Sequence, residues 1–122
     1  MPVFYDAFRR CDALIVATPV YYRNVCARLM AVMERHYAIR HERPLAGKPG
    51  GAIAVGRGTG GGQAMTINRI FTWLLSCGAI CVPGEMNGLT AVADAPGDVL
   101  KQEKRLRQAR VLGENVLRAA MR

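Results

Sequence analysis

The sequence predicts an α/β fold in which helices cover a short parallel sheet. Three observations carry this expectation. Short apolar runs rich in β-branched residues recur at residues 12–18, 51–55 and 79–82. Each run stops at a proline or glycine, namely Pro19, Gly56 and Pro83. Between and after the runs lie longer stretches whose apolar residues recur at helical spacing, so that strands and helices alternate.

Taken in order, Asp12–Thr18 is too short for a helix and holds an unbroken apolar stretch, which predicts a strand buried on both faces, the habit of parallel sheets. From Asn24 to about Tyr37, Val25, Leu29, Met33 and Tyr37 fall four apart while Arg28, Glu34 and Arg35 fall elsewhere, which predicts an amphipathic helix capped by Asn24. Pro44, Gly47, Pro49 and Gly50 then mark a loop. Gly51–Val55 repeats the buried-strand pattern, and Gly56 opens a glycine-rich turn. Ile67, Ile70, Phe71, Leu74, Leu75 and Gly78 follow the i, i+3, i+4, i+7 rule and predict the clearest helix of the chain. Ala79–Val82 is the third strand. Residues 84–97 read as a loop in which Leu89–Val92 is open between strand and coil. Pro96-Gly97-Asp98 predicts a turn into a final helix capped by Asp98, with Val99, Leu106, Ala109, Gly113, Val116 and Ala120 on its buried face. The order βαβαβα with such linkers implies right-handed crossovers and a three-layer sandwich.

With 122 residues, 51% of them hydrophobic and 21% charged, the chain is expected to form one domain over residues 1–122. Its longest uncharged apolar stretch, Ala13–Tyr22, is broken by Pro19 and is about half of what a membrane-spanning helix needs. The first residues carry Asp6, Arg9, Arg10 and Asp12 and show no basic-then-apolar leader, so a cytoplasmic protein is expected. Cys11, Cys26, Cys77 and Cys81 form no C-x-x-C pair and read as reduced, structural thiols, and His36 and His41 are too far off in sequence to complete a metal set with Cys77 and Cys81. A net charge of +8 marks a surface that attracts anions, among them nucleic acid, acidic partners and phosphate-bearing cofactors.

Ligands of open parallel sheets lie outside the carboxyl ends of the strands, which directs attention to two loops. The first, Thr18-Pro-Val-Tyr-Tyr-Arg-Asn-Val25, offers a stiff exit at Pro19, two aromatic rings and a helix start. The second, Gly56-Arg-Gly-Thr-Gly-Gly-Gly-Gln63, lets backbone amides approach a flat or anionic ligand.

Thr-Pro-Val-Tyr-Tyr after one strand, followed by a glycine-rich loop ending in Gln after the next, resembles the NAD(P)H-dependent FMN reductase and iron-sulfur flavoprotein family of flavodoxin-like proteins. Asp12–Tyr22 is similar to that family's third strand and flavin loop, Leu29–Arg35 to the helix ending in an acid and an arginine, Leu45–Pro49 to the lead into its fourth strand, and Arg110–Gly113 to its last helix. The resemblance implies a flavodoxin-like three-layer sandwich that binds FMN through backbone groups more than side chains. It also implies hydride transfer from NAD(P)H to the flavin and electron delivery to a small-molecule or protein acceptor. The positions carried over are Thr18, Pro19, Val20, Tyr21, Tyr22, Asn24, Gly56, Gly58, Gly60 and Gly61. No residue is carried over as catalytic or as a metal ligand.

Three departures qualify the match. The family's first two strands and first helix, with the loop that holds the FMN phosphate, are missing, so the chain reads as an N-terminally truncated domain. Arg23-Asn24 stands where a small pair such as Gly-Ser is usual, and the cluster cysteines of the iron-sulfur flavoproteins belong to the missing section. The absent strands would lie beside residues 13–17, and the bare edge suggests a homo-oligomer or a partner chain pairing there. Three other readings stand beside this one. Gly56, Gly58 and Gly61, with Glu85 downstream, formally match a Rossmann fingerprint. Lys101, Lys104, Arg105, Arg107 and Arg110 could face nucleic acid, although aromatic residues are absent beyond residue 74, and specific nucleic-acid binding is not expected. A truncated flavodoxin-like interaction module without bound flavin is the alternative from a different class. Arg57 is open between a nucleotide-phosphate contact and a surface residue.

Overall fold

The computed structural model describes residues 2–122. The elements are α1 (Pro2–Arg10), β1 (Leu14–Pro19), α2 (Ala27–Arg35) running into a 3-10 helix (His36–Glu42), β2 (Pro49–Gly56), α3 (Gln63–Ser76), β3 (Ile80–Cys81), β4 (Leu89–Val92), a short 3-10 turn (Asp98–Lys101) and α4 (Glu103–Ala120). Every strand pair is parallel. β2 pairs with β1 along one edge, and on its other edge it pairs with β3 near its start and with β4 near its end. β3 and β4 therefore occupy one strand position, interrupted by residues 82–88.

The sheet separates two apolar layers. A Cβ on Gly50 would meet Leu74 of α3 at 3.0 Å, and one on Gly51 would meet Leu112 of α4 at 3.0 Å, so these adjacent glycines admit a helix to each face. On the α3 side Leu45, Ile67, Ile70 and Leu74 are fully buried with Phe8, Val25, Met33 and Ile39. On the α4 side Val82, Leu89, Leu112 and Val116 form a smaller core. The predicted three-layer α/β sandwich is thus present. Among the described residues no helix is long and apolar enough to cross a membrane.

Several elements differ from the sequence expectation. α1 was not predicted; its carboxyl end is held by Lys48, whose Nζ donates to the Phe8 and Arg9 carbonyls at 2.8 and 3.1 Å, and by a two-pronged contact from Arg9 to Glu42 at 2.7 and 2.9 Å. β1 is not buried on both faces: Leu14 and Val16 pack toward α3, but Ile15 and Ala17 point the other way, where α4 lies mainly over β2 and β4. α2 starts at Ala27 with Cys26 in the cap position, and Asn24 instead accepts the Val25 N–H at 2.8 Å. Tyr37 is exposed and lies under the Arg40 guanidinium.

Leu75 is exposed, and Gly78, with φ +77°, ends α3 rather than extending its buried face. Leu89–Val92, left open by the sequence, is the strand β4. Asp98 does not cap a helix forward; its Oδ2 accepts the Asp94 and Ala95 amides at 3.0 and 2.8 Å, and these bonds hold its carboxyl below the usual carboxylate range. The buried face of α4 is centred on Gln108, Leu112 and Val116. Gln108 breaks the apolar pattern because both ends of its amide are used: Nε2 donates to Glu85 at 3.0 Å and Oε1 accepts from Arg105 at 2.8 Å.

At the start of the 3-10 helix, packed against α1 and α3, lies His36, only 5% exposed. Its ring meets Phe8 and Trp73 edge-on at 5.4 and 5.6 Å. Cys77 Sγ lies 3.7 Å from Nδ1, and Nε2 has no partner among the described residues. Burial holds the imidazole below its ordinary value of 6.5 and pushes the Cys77 thiol up to about 11. Above pH 6.5 both folded and unfolded chains carry a neutral ring, so His36 contributes no pH dependence there. Below it the unfolded chain takes up a proton that the folded chain resists, and stability falls as pH drops. The urea midpoint is expected to fall between about pH 7 and about pH 5 in the parent and to fall less in His36→Phe; equal losses in both proteins would contradict the assignment.

Candidate functional site

The carboxyl ends of three strands finish level, with Pro19 beside Val55 and Gly56 beside Val92. The ladder continues one step into the loops through Val20 N–H to the Val55 carbonyl and Ala93 N–H to the Gly56 carbonyl, each 2.9 Å. These bonds hold the loops above the strand ends. A hollow of about 670 Å³ opens there, lined by Ala17–Tyr21, Val55–Arg57, Ala93 and Asp94. Its size suits a small organic ligand.

The first loop is a two-residue hairpin. Tyr21 and Asn24 exchange backbone hydrogen bonds at 3.3 and 3.1 Å, and the tip residues Tyr22 and Arg23 have φ +50° and +59°. Such turns favour Asn-Gly, because both tip residues are left-handed. Buried Thr18 anchors the base of the loop: its hydroxyl accepts the Cys26 N–H at 3.1 Å and donates to the Pro19 carbonyl at 2.7 Å. The Thr18 hydroxyl, followed by the Leu29 and Arg28 amides of α2, holds the Cys26 thiol below its ordinary range.

The second loop is tied down at two points. Gln63 Nε2 donates to the Gly58 carbonyl at 2.9 Å and to the Ala91 carbonyl of β4 at 3.4 Å, with the side chain buried. Gly62 has φ +104° and lies against Arg23, so that a Cβ there would fall 2.6 Å from the Arg23 Cα. No other residue fits that contact without moving one of the loops. The amides of Gly58, Thr59 and Gly60, like those of Tyr22 and Arg23, have no acceptor within the chain among the described residues. Arg57 forms an ion pair with Asp94, linking this loop to the segment after β4 at an exposed position where such pairs contribute little to stability.

Of the residues singled out by sequence, Thr18, Pro19, Val20, Tyr21 and Gly56 line the hollow together. Gly58, Gly60 and Gly61 belong to its second loop but not to its lining, and Tyr22 and Asn24 lie outside it, Tyr22 fully exposed at the hairpin tip. Sequence reasoning missed Ala17, Val55, Ala93 and Asp94, as well as the latch made by Gln63. The segment that carries Ala93 and Asp94 follows a strand too short and too mixed to show a clear period. Arg105, one of the basic residues of the last helix weighed for nucleic acid, is half-buried against Gln108.

A parallel sheet with helices on both faces and a ligand-sized hollow at its carboxyl edge is the arrangement of the open α/β proteins that include the flavodoxin-like class. The chain belongs to the NADPH-dependent FMN reductase family, whose family model matches residues 1–91. It is 38% identical over 112 residues to an iron-sulfur flavoprotein of Methanocaldococcus jannaschii, covering 88% of this chain and 58% of that protein. It is 39% identical over 83 residues to an iron-sulfur flavoprotein of Methanosarcina thermophila, covering 67% of this chain and 44% of that protein. The chain thus spans about half the length of these relatives. Among solved structures, a flavodoxin, WrbA-like protein from Agrobacterium tumefaciens superposes with a TM-score of 0.74 at 19% identity, over 91% of this chain and 70% of that one. The glycine pattern at Gly56, Gly58 and Gly61 therefore sits in a flavodoxin-like sheet rather than at the start of a Rossmann domain.

Two left-handed tip residues with side chains each cost on the order of 1–2 kcal/mol relative to residues suited to the turn. Tyr22→Asn and Arg23→Gly are each expected to raise stability by about 1 kcal/mol, read as an upward shift of the urea midpoint. A loss of stability in both would contradict the strained-turn assignment.

Proposed function

We propose that this chain supplies the flavin-ring portion of an FMN-dependent oxidoreductase that takes electrons from NAD(P)H and delivers them to a small-molecule or protein acceptor in the cytoplasm. The observation that carries the reading is the hollow above β1, β2 and β4, with free backbone amides on both flanking loops, in a chain of the NADPH-dependent FMN reductase family. The residues fit the group. A flavin ring is flat, has an apolar edge and a polar pyrimidine edge, and needs hydrogen-bond donors more than charges. Pro19, Val20 and Tyr21 offer an apolar wall, and the unpaired N–H of Gly58 stands on the adjoining loop, which has few side chains.

In this reading Thr18 and Asn24 shape the first loop through the bonds they make to Cys26 and Val25, while Gly56, Gly58, Gly60 and Gly61 keep the second loop open to close approach. Bound FMN supplies two-electron chemistry that amino-acid side chains lack, accepting a hydride and releasing electrons to the acceptor. The protein's own part is to orient the ring, exclude water from one face and set the local charge through Arg57 and Asp94.

Titration of FMN with the purified chain, followed by quenching of flavin fluorescence, is expected to saturate at one FMN per chain, and the loaded protein is expected to oxidise NADH or NADPH. Absence of quenching by a chain that circular dichroism shows to be folded would overturn this reading and favour an interaction module without flavin.

The free edge of β1 supports a second element of the proposal. Among the described residues its backbone pairs only with β2, and Ile15 on its uncovered face is 43% exposed. A second copy of the chain pairing along residues 14–19 would satisfy the unpaired groups and cover Ile15. Light scattering at micromolar concentration is expected to report a dimer or higher oligomer, and a stable monomer would contradict the pairing.

A further inference from the structure

A second hollow, of about 340 Å³, opens on the far half of the glycine loop. Thr59, Gly60 and Gln63 line one side and Thr90 another, and two arginines from different elements close it: Arg23 from the hairpin tip and Arg105 from α4. Arg23 is exposed and Arg105 half-buried, and the backbone or stem of each is constrained. Arg23 occupies a left-handed position that penalises any side chain, and its Cα and stem rest on Gly62. Arg105 is half-buried, with Nη1 held by Gln108 Oε1 at 2.8 Å.

Among the described residues, ion pairs form at Arg9, Arg57 and Arg118, and none forms at Arg23 or Arg105. Glu85 is linked to Arg105 through the Gln108 amide and forms no ion pair with it among the described residues. Two guanidinium groups that share one hollow repel each other unless an anion lies between them. The unpaired amides of Thr59 and Gly60 add donors of the same sense.

We propose that this hollow is a subsite for a phosphate monoester. Its tetrahedral, dianionic oxygens match paired guanidinium forks and backbone amides better than a carboxylate or a neutral ring would. On the proposed flavin function, on which this inference rests, two ligands could bring such a group: the flavin, through its 5′-phosphate, and the nicotinamide donor, through a 2′-phosphate.

Calorimetric titration of the parent chain and of Arg23→Ala and Arg105→Gln distinguishes these sources with two ligand pairs. FMN and riboflavin differ by the 5′-phosphate, and 2′,5′-ADP and 5′-AMP differ by the 2′-phosphate. Each variant is expected to bind the phosphate-bearing member of one pair about tenfold more weakly, with the other member unchanged. Loss confined to FMN assigns the subsite to the flavin, and loss confined to 2′,5′-ADP assigns it to the donor. Arg105→Lys, which keeps the charge but not the fork, is expected to fall between parent and Arg105→Gln and guards against a folding defect. Unchanged affinity of folded variants for both phosphate-bearing ligands would overturn the subsite, while normal FMN binding in the same experiment would leave the flavin function standing. Failure of FMN to bind the parent, with 2′,5′-ADP binding that depends on the two arginines, would do the reverse.

Discussion

The fold depends on β2 being enclosed on all four sides. It is hydrogen-bonded along one edge by β1 and along the other by β3 and β4, and its faces are covered by α3 and α4. Such a strand has no solvent-facing side for polar residues, which is why Pro49–Gly56 reads as small and apolar throughout. Gly50 and Gly51 bring the two helices close, and that close packing fixes the level at which the strand ends. The loops above Thr18 and Gly56 inherit their positions from this strand through the hydrogen bonds at Val55 and Gly56.

Given that platform, the loops hold each other. Arg23 lies on Gly62, and Gln63 bonds both its own loop and β4. Each contact is modest, since a hydrogen bond of this kind contributes about 1 kcal/mol net. Their combined effect is to leave amides on two loops unpaired instead of consumed within a collapsed turn. A site made of backbone donors needs such external ties, because its own polar groups must stay free for a ligand.

What the sequence made legible follows from periodicity. β2 and α3 stood out because one is continuously apolar and the other repeats cleanly through Ile67, Ile70 and Leu74. β4 did not, because four residues bearing Thr90 give no decisive period, and with it went the third wall of the site, Ala93 and Asp94. α1 was unreadable for a different reason: its position rests on Lys48 and Glu42, contacts made across more than thirty residues of chain. On α4 the sequence placed Val116 on the buried face but missed Leu112 and Gln108, because buried Gln108 satisfies its amide through Glu85 and Arg105, a pairing that no local pattern encodes. The motif Thr-Pro-Val-Tyr-Tyr located the right loop, while the left-handed turn at Tyr22 and Arg23 became visible only in three dimensions.

The central claim is that the three loops at the carboxyl ends of β1, β2 and β4 form one flavin site. The most direct measurement is amide chemical-shift mapping of the isotopically labelled chain by NMR as FMN is added. The claim predicts that the changes concentrate at residues 18–25, 56–63 and 93–94 and leave α1 and the carboxyl-terminal half of α4 undisturbed. Changes centred on another face of the sheet, or none at saturating FMN in a folded chain, would contradict it.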